Sequence, residues 1–393
     1  MKRSVLLTIL ISILLSNQCF AGGLNRIGGI GSRAGGMSGA FTAIADDVTL
    51  FYYNPAGMSQ FETTYIEAGV DVVVPRLKYN GHNSDNDAWH ALPYAGVIYP
   101  ANDRVNIGLG LTVPYGMGAS FKKSWPLPET ETLLSLTNIT PALSLKLCDK
   151  FYVGVGLNIG YGQFKYRAPF DVDGIFLPIC TDNEASGFGL GTTIGLMYFP
   201  TDKLTFGLTY MSELKVNFNG ESDISIGPIS IRDKFKSDFT FPPRLGLGIA
   251  YQFTDRLTVD FDANWYGYSK TVNSMTLQFD KLNFGKTTKL NWQDNFSLHL
   301  GARYRLNNDW WLRAGMAYQN SAIPDSTISQ LTPDASGWDV AFGLECEKDN
   351  FSFGVGTIYG WGENDVEPNF GVRYPGKYEA QTLTVGLQAS WKF

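Results

Sequence analysis

Large apolar residues alternate with small or polar residues along most of the chain from about residue 62 onward. In the clearest run, residues 151–162, one face carries bulky apolar side chains and the other is mostly glycine. Residues 351–361 and 383–393 repeat this pattern. A period of two predicts β-strands with two unlike faces. A half-buried strand of a soluble protein would look the same locally, so the connections must decide between the two.

Short connections and long connections follow each other in alternation between these runs. Short turns are expected near residues 100–103, 148–150, 200–202, 254–255, 307–309 and 347–350. Long loops are expected near residues 80–90, 115–130, 168–185, 219–238, 269–287, 320–336 and 361–377. Short turns at one end and long loops at the other are typical of outer-membrane barrels. The pattern therefore predicts an all-β fold, a 14-stranded antiparallel transmembrane β-barrel over residues 62–393. A soluble sandwich or propeller is the alternative.

The ends of the chain and its composition agree with a barrel that faces lipid. Residues 1–21 form an expected signal peptide, with Lys2 and Arg3 before an apolar run and cleavage after Ala21. Charged residues make up 17% of the chain, below the roughly 25% of soluble domains. Aromatic pairs near strand ends suit interfacial girdles. We expect a Gram-negative outer-membrane location, periplasmic termini, and hand-over to the barrel assembly machinery through the terminal Phe393.

Residues 22–61 do not alternate and are predicted to form a helical hatch that plugs the lumen. A barrel of this size is too wide for its own side chains to fill easily. Gly31, Gly35 and Gly39 recur every four residues, which on a helix would give a smooth face for close approach of another backbone. The other residues singled out in this segment are Asp46, Asp47, Asn54, Pro55 and Ala56. The acidic pair is expected to cap or hydrogen-bond within the hatch, and the Asn-Pro-Ala-Gly run to form a turn.

These segments resemble the FadL/TodX family of outer-membrane transporters for long-chain fatty acids and aromatic hydrocarbons. The run GSRAGGMSGAFTAIADD with YYNPAGM looks like that family's N-terminal hatch. Further matches follow in order: VPYGMG at 113–118, LTNITP at 136–141, PP at 242–243, NWQD at 291–294, LRAGMA at 312–317 and IPD at 323–325. Each motif is weak alone, but their order covers nearly all of the mature chain.

The resemblance implies capture of a hydrophobic ligand among extracellular loops, transfer to a lumenal pocket beside the hatch, and lateral release through the barrel wall. The hatch residues named above would act in gating. An inward kink in the third strand would fall at Pro114, Tyr115, Gly116 and Gly118. Proline removes a ladder donor and glycine weakens a strand, which suits such a break. Alternatively, Pro114 merely ends its strand.

The ligand itself is left open between a long-chain fatty acid and a neutral hydrophobic molecule. The apolar loop at residues 113–125 offers Met117, Phe121 and Trp125 as a capture surface. Gln293 stands where the family often has a lysine, which favours a neutral ligand. Arg303 or Arg313 could supply the missing charge.

We expect no catalytic residue, cofactor, metal site or nucleic-acid partner. The net charge is −6, and the three histidines lack metal-ligand spacing. His299 is expected to be a satisfied lumenal histidine rather than the base of a hydrolase. The expected partners are the hydrophobic ligand, outer-membrane lipid and lipopolysaccharide, with the barrel acting as a monomer. A non-transport barrel, serving as an adhesin or a docking component of a secretion system, is the alternative function.

Overall fold

The protein forms a closed antiparallel barrel around its own N-terminal segment. The computed structural model describes residues 24–26, 28–84, 89–121, 129–172, 175–372 and 374–393, with backbone only at 170–178. The expected signal peptide and Trp125 lie outside the described residues.

The barrel has fourteen strands, as predicted, several of them interrupted. They are β1 Tyr65–Tyr79, β2 His90–Asn102, β3 Val105–Phe121, β4 Thr130–Cys148, β5 Phe151–Val172, β6 Ile175–Thr201, β7 Leu204–Met211 and Leu214–Ile226, β8 Ile229–Phe241 and Arg244–Gln252, β9 Leu257–Tyr266 and Ser274–Phe279, β10 Phe284–Lys289 and Asn295–Arg305, β11 Trp310–Gln319, β12 Gly337–Lys348, β13 Phe351–Val366 and β14 Gly376–Lys392. A short piece, His82–Asn83, pairs with the end of β1. β1 pairs with β14 from Tyr65–Lys392 to Tyr79–Tyr378, which closes the barrel.

The two faces of the strands divide as the alternation predicts. On β5, Val155, Leu157 and Ile159 are exposed on the outer face, while Gly154 and Gly156 are buried inside. The outer face is therefore the apolar one, which is the arrangement of a barrel surrounded by lipid rather than by water.

The six short turns lie where they were expected, and we call that end of the barrel the short-turn end. The opposite, long-loop end differs from the expectation. Residues 168–185, 219–238 and 269–287 were expected to be loops, but they are mostly strand. In the second of these, Ile226 pairs with Ile229 across Gly227, which has a φ of 57°. These hairpins keep the alternation with a more polar outer face, because they extend past the apolar band, and so they resemble loops in composition.

The N-terminal segment holds three short helical pieces: α1 Ser32–Gly35, α2 Leu50–Tyr53 and a 3₁₀ helix Pro55–Gln60. The four-residue spacing of Gly31, Gly35 and Gly39 would give one smooth face on a continuous helix, but the structure has only one helical turn there, Ser32–Gly35. Gly31 (φ 85°) precedes α1, and Gly39 (φ 82°) follows it and donates its N–H to the Ala34 carbonyl at 2.8 Å. Glycines with positive φ end helices, and here they break the segment into turns.

The remaining helix, α3 Tyr268–Thr271, lies within the interruption of β9. Among the residues described, no helix has the length and apolar character needed to cross a membrane.

Candidate functional site

The barrel wall meets the N-terminal segment through glycine. A Cβ atom on inward-facing glycines of many strands would overlap or crowd residues of this segment; they include Gly96, Gly108, Gly110, Gly154, Gly195, Gly207, Gly248, Gly301, Gly315, Gly343 and Gly356. Many face each other across neighbouring strands, as Gly154 and Gly195 do, and Gly301 and Gly315. The inward glycines therefore let both the backbone and the side chains of the segment lie directly against the wall.

The Asn54-Pro55-Ala56 turn rests on one of these glycine pairs. A Cβ at Gly154 would overlap the Pro55 backbone, and one at Gly195 would overlap the Asn54 side chain. The Asn54 Oδ1 accepts from the Ala56 N–H at 3.2 Å and so caps the 3₁₀ helix. Its Nδ2 donates at 3.0 Å to the Thr42 carbonyl and to the Leu196 carbonyl of β6. One side chain thus shapes the turn and fastens it to the wall.

Buried ion pairs hold residues 31–60, which we call the body. The Arg33 Nε donates to Glu345 on β12 at 2.9 Å, and the other oxygen of Glu345 lies 2.6 Å from Arg313 on β11. Arg303 on β10 pairs with Asp46. Arg303 and Arg313, expected as ligand-binding charges, are therefore already engaged with carboxylates.

Asp46 and Asp47 differ although they are adjacent. Burial alone would raise the pKa of the Asp46 carboxyl. The nearby guanidinium groups, above all that of Arg303, outweigh burial and hold this pKa below its usual value. Asp47 accepts from the Thr49 N–H at 2.7 Å, and burial raises its pKa to about 6. The first anchors the body to the wall, and the second hydrogen-bonds within the body.

Residues 24–26 and 28–30, which we call the tail, run from the body to the third strand. Leu24 accepts a hydrogen bond from the Gly116 N–H at 2.8 Å, and Asn25 forms an isolated bridge with Tyr115. The Asn25 Nδ2 donates to the Gln319 Oε1 at 2.6 Å. Arg26 pairs with Asp71 of β1 at 2.7 Å.

The third strand, β3, stops pairing with β2 partway along its length but stays paired with β4. Over these fully described strands, the register between β2 and β3 ends at the Ala95–Leu111 pair. Pairing between β3 and β4 continues to Phe121–Thr130, after a bulge between Thr112 and Tyr115. At the bulge, Val113 and Pro114 stand opposite a single residue of β4. Pro114 therefore lies within a kinked strand and does not end it.

The kinked part of β3 turns into the lumen. Tyr115 is 1% exposed and donates to the Pro242 carbonyl at 2.9 Å, where Pro242 and Pro243 interrupt β8. Met117 is 3% exposed and Phe121 is 5% exposed. The expectation that Met117 and Phe121 form an exposed capture loop is wrong, because the strand continues inward through these positions.

Gln293 is exposed, whereas its neighbour Trp292 is buried beside Tyr268 with ring centroids 5.5 Å apart. The Gln293 N–H donates to the Ala322 carbonyl at 2.7 Å. The structure therefore does not place the Gln293 side chain in the lumen. A side chain at this position would not bind a charged ligand inside the barrel.

A small cavity lies between the tail and the inner faces of β11 to β14. Its volume is about 60 Å³, well below the roughly 300–1,000 Å³ of ligand pockets. Asn25, Arg26, Gly28 and Gly29 form one wall, and glycines of β12 and β13 form much of the other. The tail must therefore shift before a ligand of ordinary size can enter.

His299 is a satisfied lumenal histidine, as expected. Its Nδ1 lies 2.7 Å from the Ser38 carbonyl and its Nε2 lies 2.8 Å from the Ser297 hydroxyl. The Nδ1 contact holds the body against β10, and the Nε2 contact lies within β10 itself.

Sequence reasoning missed the carboxylates that fasten the N-terminal segment, such as Asp71, Asp262 and Glu345. Asp262 accepts from the Phe41 and Thr42 N–H groups at 2.9 and 2.8 Å. A usable signal was present, because each acid stands at an inward position of an alternating strand. A charge there needs a partner.

A family model described as outer membrane protein transport protein (OMPP1/FadL/TodX) matches residues 12–393. The chain is 23% identical to a long-chain fatty acid transport protein of Salmonella typhi, over 92% of this chain and 89% of that one. It is similar in fold to a FadL homologue of Pseudomonas aeruginosa, with a TM-score of 0.83, 18% identity, and 95% and 100% of the two chains covered. The toluene transporter TodX of P. putida gives a TM-score of 0.79 at 17% identity, over 94% and 99%.

Proposed function

The chain belongs to the OMPP1/FadL/TodX family of outer-membrane proteins, and we propose that it carries hydrophobic compounds across the outer membrane and releases them sideways through the barrel wall. The relatives named for long-chain fatty acid and toluene transport support this class of cargo. The short-turn end, at which β1 begins and β14 ends, would face the periplasm.

The observation that carries the proposal is the one-sided departure of β3. Where the β2–β3 register ends, an apolar cluster of Val73, Leu92 and Val113 lies at the junction. Side-chain packing separates more readily than a hydrogen-bonded ladder, and its apolar character suits an oily molecule. The opening would lead into the membrane rather than into the periplasm.

The tail supplies a gate for this opening. It is bonded to the kink through Leu24 and Asn25 and also forms one wall of the cavity. A ligand that displaces the tail from the cavity would therefore also loosen the kink. The hatch residues Gly31, Gly35, Gly39, Asn54, Pro55 and Ala56 would position the body on which the tail pivots.

Removing the bulge tests the lateral route. Deleting Pro114 leaves one residue of β3 opposite one residue of β4 at the bulge. The β3–β4 register is then unchanged on both sides of this position. The strand should then run straight and complete its ladder with β2. We expect uptake of labelled toluene by cells to fall to background while the barrel still assembles, as judged by heat-modifiable migration.

The matched control deletes Leu147, the bulged residue near the short-turn end of β4. It is 56% exposed on the outside, so its deletion should leave uptake unchanged. Undiminished uptake by an assembled Pro114-deletion barrel would show that cargo does not leave through the β2–β3 junction.

A further inference from the structure

Two polar residues with a glycine between them, at inward-facing positions of three neighbouring strands, form a row in the cavity wall. Asp339 of β12 pairs with Gly360 of β13, and Gly360 pairs with Thr382 of β14. All three line the cavity behind the tail. Neighbouring strands lie about 4.8 Å apart, so the carboxylate and the hydroxyl flank a position that has no side chain.

The glycine between them keeps the row open. A Cβ at Gly360 would overlap the Asp339 Oδ1, so even alanine would close the space beside the carboxylate. The next row toward the long-loop end is Gly337, Gly362 and Ala380, also small. The wall is thus a shallow slot with polar groups at its two edges.

One oxygen of Asp339 and the hydroxyl of Thr382 have no hydrogen-bond partner among the residues that the structure describes. Asp339 is 3% exposed, and its Oδ2 has no hydrogen-bond partner among the residues that the structure describes. The Thr382 Oγ1 is likewise buried and unbonded within the described ranges. A buried polar atom without a partner is unfavourable, so a ligand that bonds both groups would gain more than its apolar contact.

Asn25, Gln319 and Arg26, which also line the cavity, are engaged. The Asn25 amide donates to Gln319 at 2.6 Å, and Arg26 lies 2.7 Å from Asp71 with both side chains almost fully buried. The Arg26 charge is therefore balanced by Asp71, while Asp339 faces the cavity. A carboxylate cargo would meet a like charge here.

We propose that this row selects a neutral cargo that bears a hydroxyl group, such as a phenol or an alcohol. A hydroxyl is both a donor and an acceptor; it would donate to the Asp339 carboxylate and accept from the Thr382 hydroxyl. The inference rests on the proposed transport function and specifies its cargo. A pure hydrocarbon would leave both groups unpaired, and a fatty acid would be repelled.

Three ligands with one ring scaffold test the row: 4-ethylphenol, 4-ethyltoluene and 4-ethylbenzoate. Calorimetric titration of the purified full-length barrel at pH 8.5 gives the Kd of each. We expect 4-ethylphenol to bind about tenfold more tightly than 4-ethyltoluene, since a hydrogen bond to a charged group contributes at that level. 4-Ethylbenzoate should bind most weakly.

The variants separate recognition from structure. Asp339→Asn should reduce the preference for the phenol and improve benzoate binding, which a purely structural role would not do. Thr382→Val, with a similar shape, should reduce the phenol preference several-fold and leave 4-ethyltoluene unchanged. Thr384→Val, which alters the same cavity outside the row, should leave the order of the three ligands unchanged.

The outcomes distinguish the two proposals. Equal binding of the phenol and the toluene analogue, or tightest binding of the benzoate, overturns the hydroxyl row and leaves transport intact. Binding of none of the three also overturns the hydroxyl row, and if cells expressing the wild type take up neither toluene nor 4-ethylphenol, the transport function itself is wrong.

Discussion

The body and the tail of the N-terminal segment are held in different ways. The body packs its backbone directly on glycines of the wall and faces wall charges through Arg33 and Asp46. The tail borders a cavity and is joined to the kink through Leu24 and Asn25. Lifting the body would separate the buried Arg33–Glu345 pair and the half-buried Asp46–Arg303 pair. Removing one partner from a buried pair costs about 3–5 kcal/mol.

This difference separates a fixed plug from a movable gate. Each tail hydrogen bond contributes about 1 kcal/mol, which a bound ligand can offset. Arg26 and Asp71 remain as the one ion pair of the tail with the wall among the described residues. We therefore infer that the tail moves during transport while the body stays in place.

The largest expected effect comes from removing the carboxylate shared by Arg33 and Arg313. Glu345→Ala leaves two buried guanidinium groups without their acid, and the free energy of unfolding should fall by about 3–5 kcal/mol. Thermal unfolding of the barrel in detergent measures it. Glu347→Ala is the control on the same strand, because Glu347 forms a partly exposed pair with Lys392 and should cost at most about 1 kcal/mol.

A smaller loss is expected where the body rests on the wall. Gly154→Ala places a methyl group into the Pro55 backbone, and overpacking of this kind costs about 1–3 kcal/mol. In the control, Gly285→Ala, the nearest atom to the new Cβ is 3.8 Å away. Equal stability of the two variants by urea titration would mean that the body is not in tight contact at this turn.

Asn54 allows its two roles to be separated. Asn54→Ala should lower the free energy of unfolding by about 1–2 kcal/mol, because the cap and both carbonyl contacts are lost. Asn54→Asp keeps the capping oxygen but loses the Nδ2 donors to Thr42 and Leu196. If the aspartate variant is as stable as the wild type in urea titration, the bonds to the carbonyls contribute nothing.

The smallest effect on stability is expected in the tail. Asn25→Ala removes the bonds to Gln319 and Tyr268 and should cost about 1 kcal/mol, yet it should raise the rate of uptake by loosening the gate. Asn307→Ala removes two turn bonds of Asn307 and should leave uptake unaltered. Slower uptake by Asn25→Ala, or the same rate, would contradict a tail that restrains the gate.

The barrel could be predicted from the chain because its wall depends on local alternation. In β5 the size and polarity of each residue indicate the face of the sheet on which it lies. The six short turns lie where the alternation stops. The kink at Pro114 was also foreseeable, since proline and glycine act on their own strand. The spacing of Gly31, Gly35 and Gly39 could not show how much of the hatch is helical, because the same glycines suit turns.

The interior depended on pairings between distant parts of the chain. Arg33 and Glu345 are 312 residues apart, and no local pattern relates them. Likewise, Gln293 and Trp292 are adjacent, and only the three-dimensional structure shows that Trp292 is the one that points inward. The row of Asp339, Gly360 and Thr382 exists only once three strands are in register.

Two reversible crosslinks test the division between body and tail most directly, in a chain whose cysteines Cys148, Cys180 and Cys346 are replaced by serine. Asn25→Cys with Tyr115→Cys locks the tail to the kink, because bridge partners lie within disulfide range. Ser59→Cys with Ser144→Cys locks the body to β4, where the two hydroxyls are 3.0 Å apart. The account predicts that uptake stops in the tail-locked barrel, recovers with reductant, and continues in the body-locked one. Continued uptake with the tail locked, or loss of uptake with only the body locked, would contradict it.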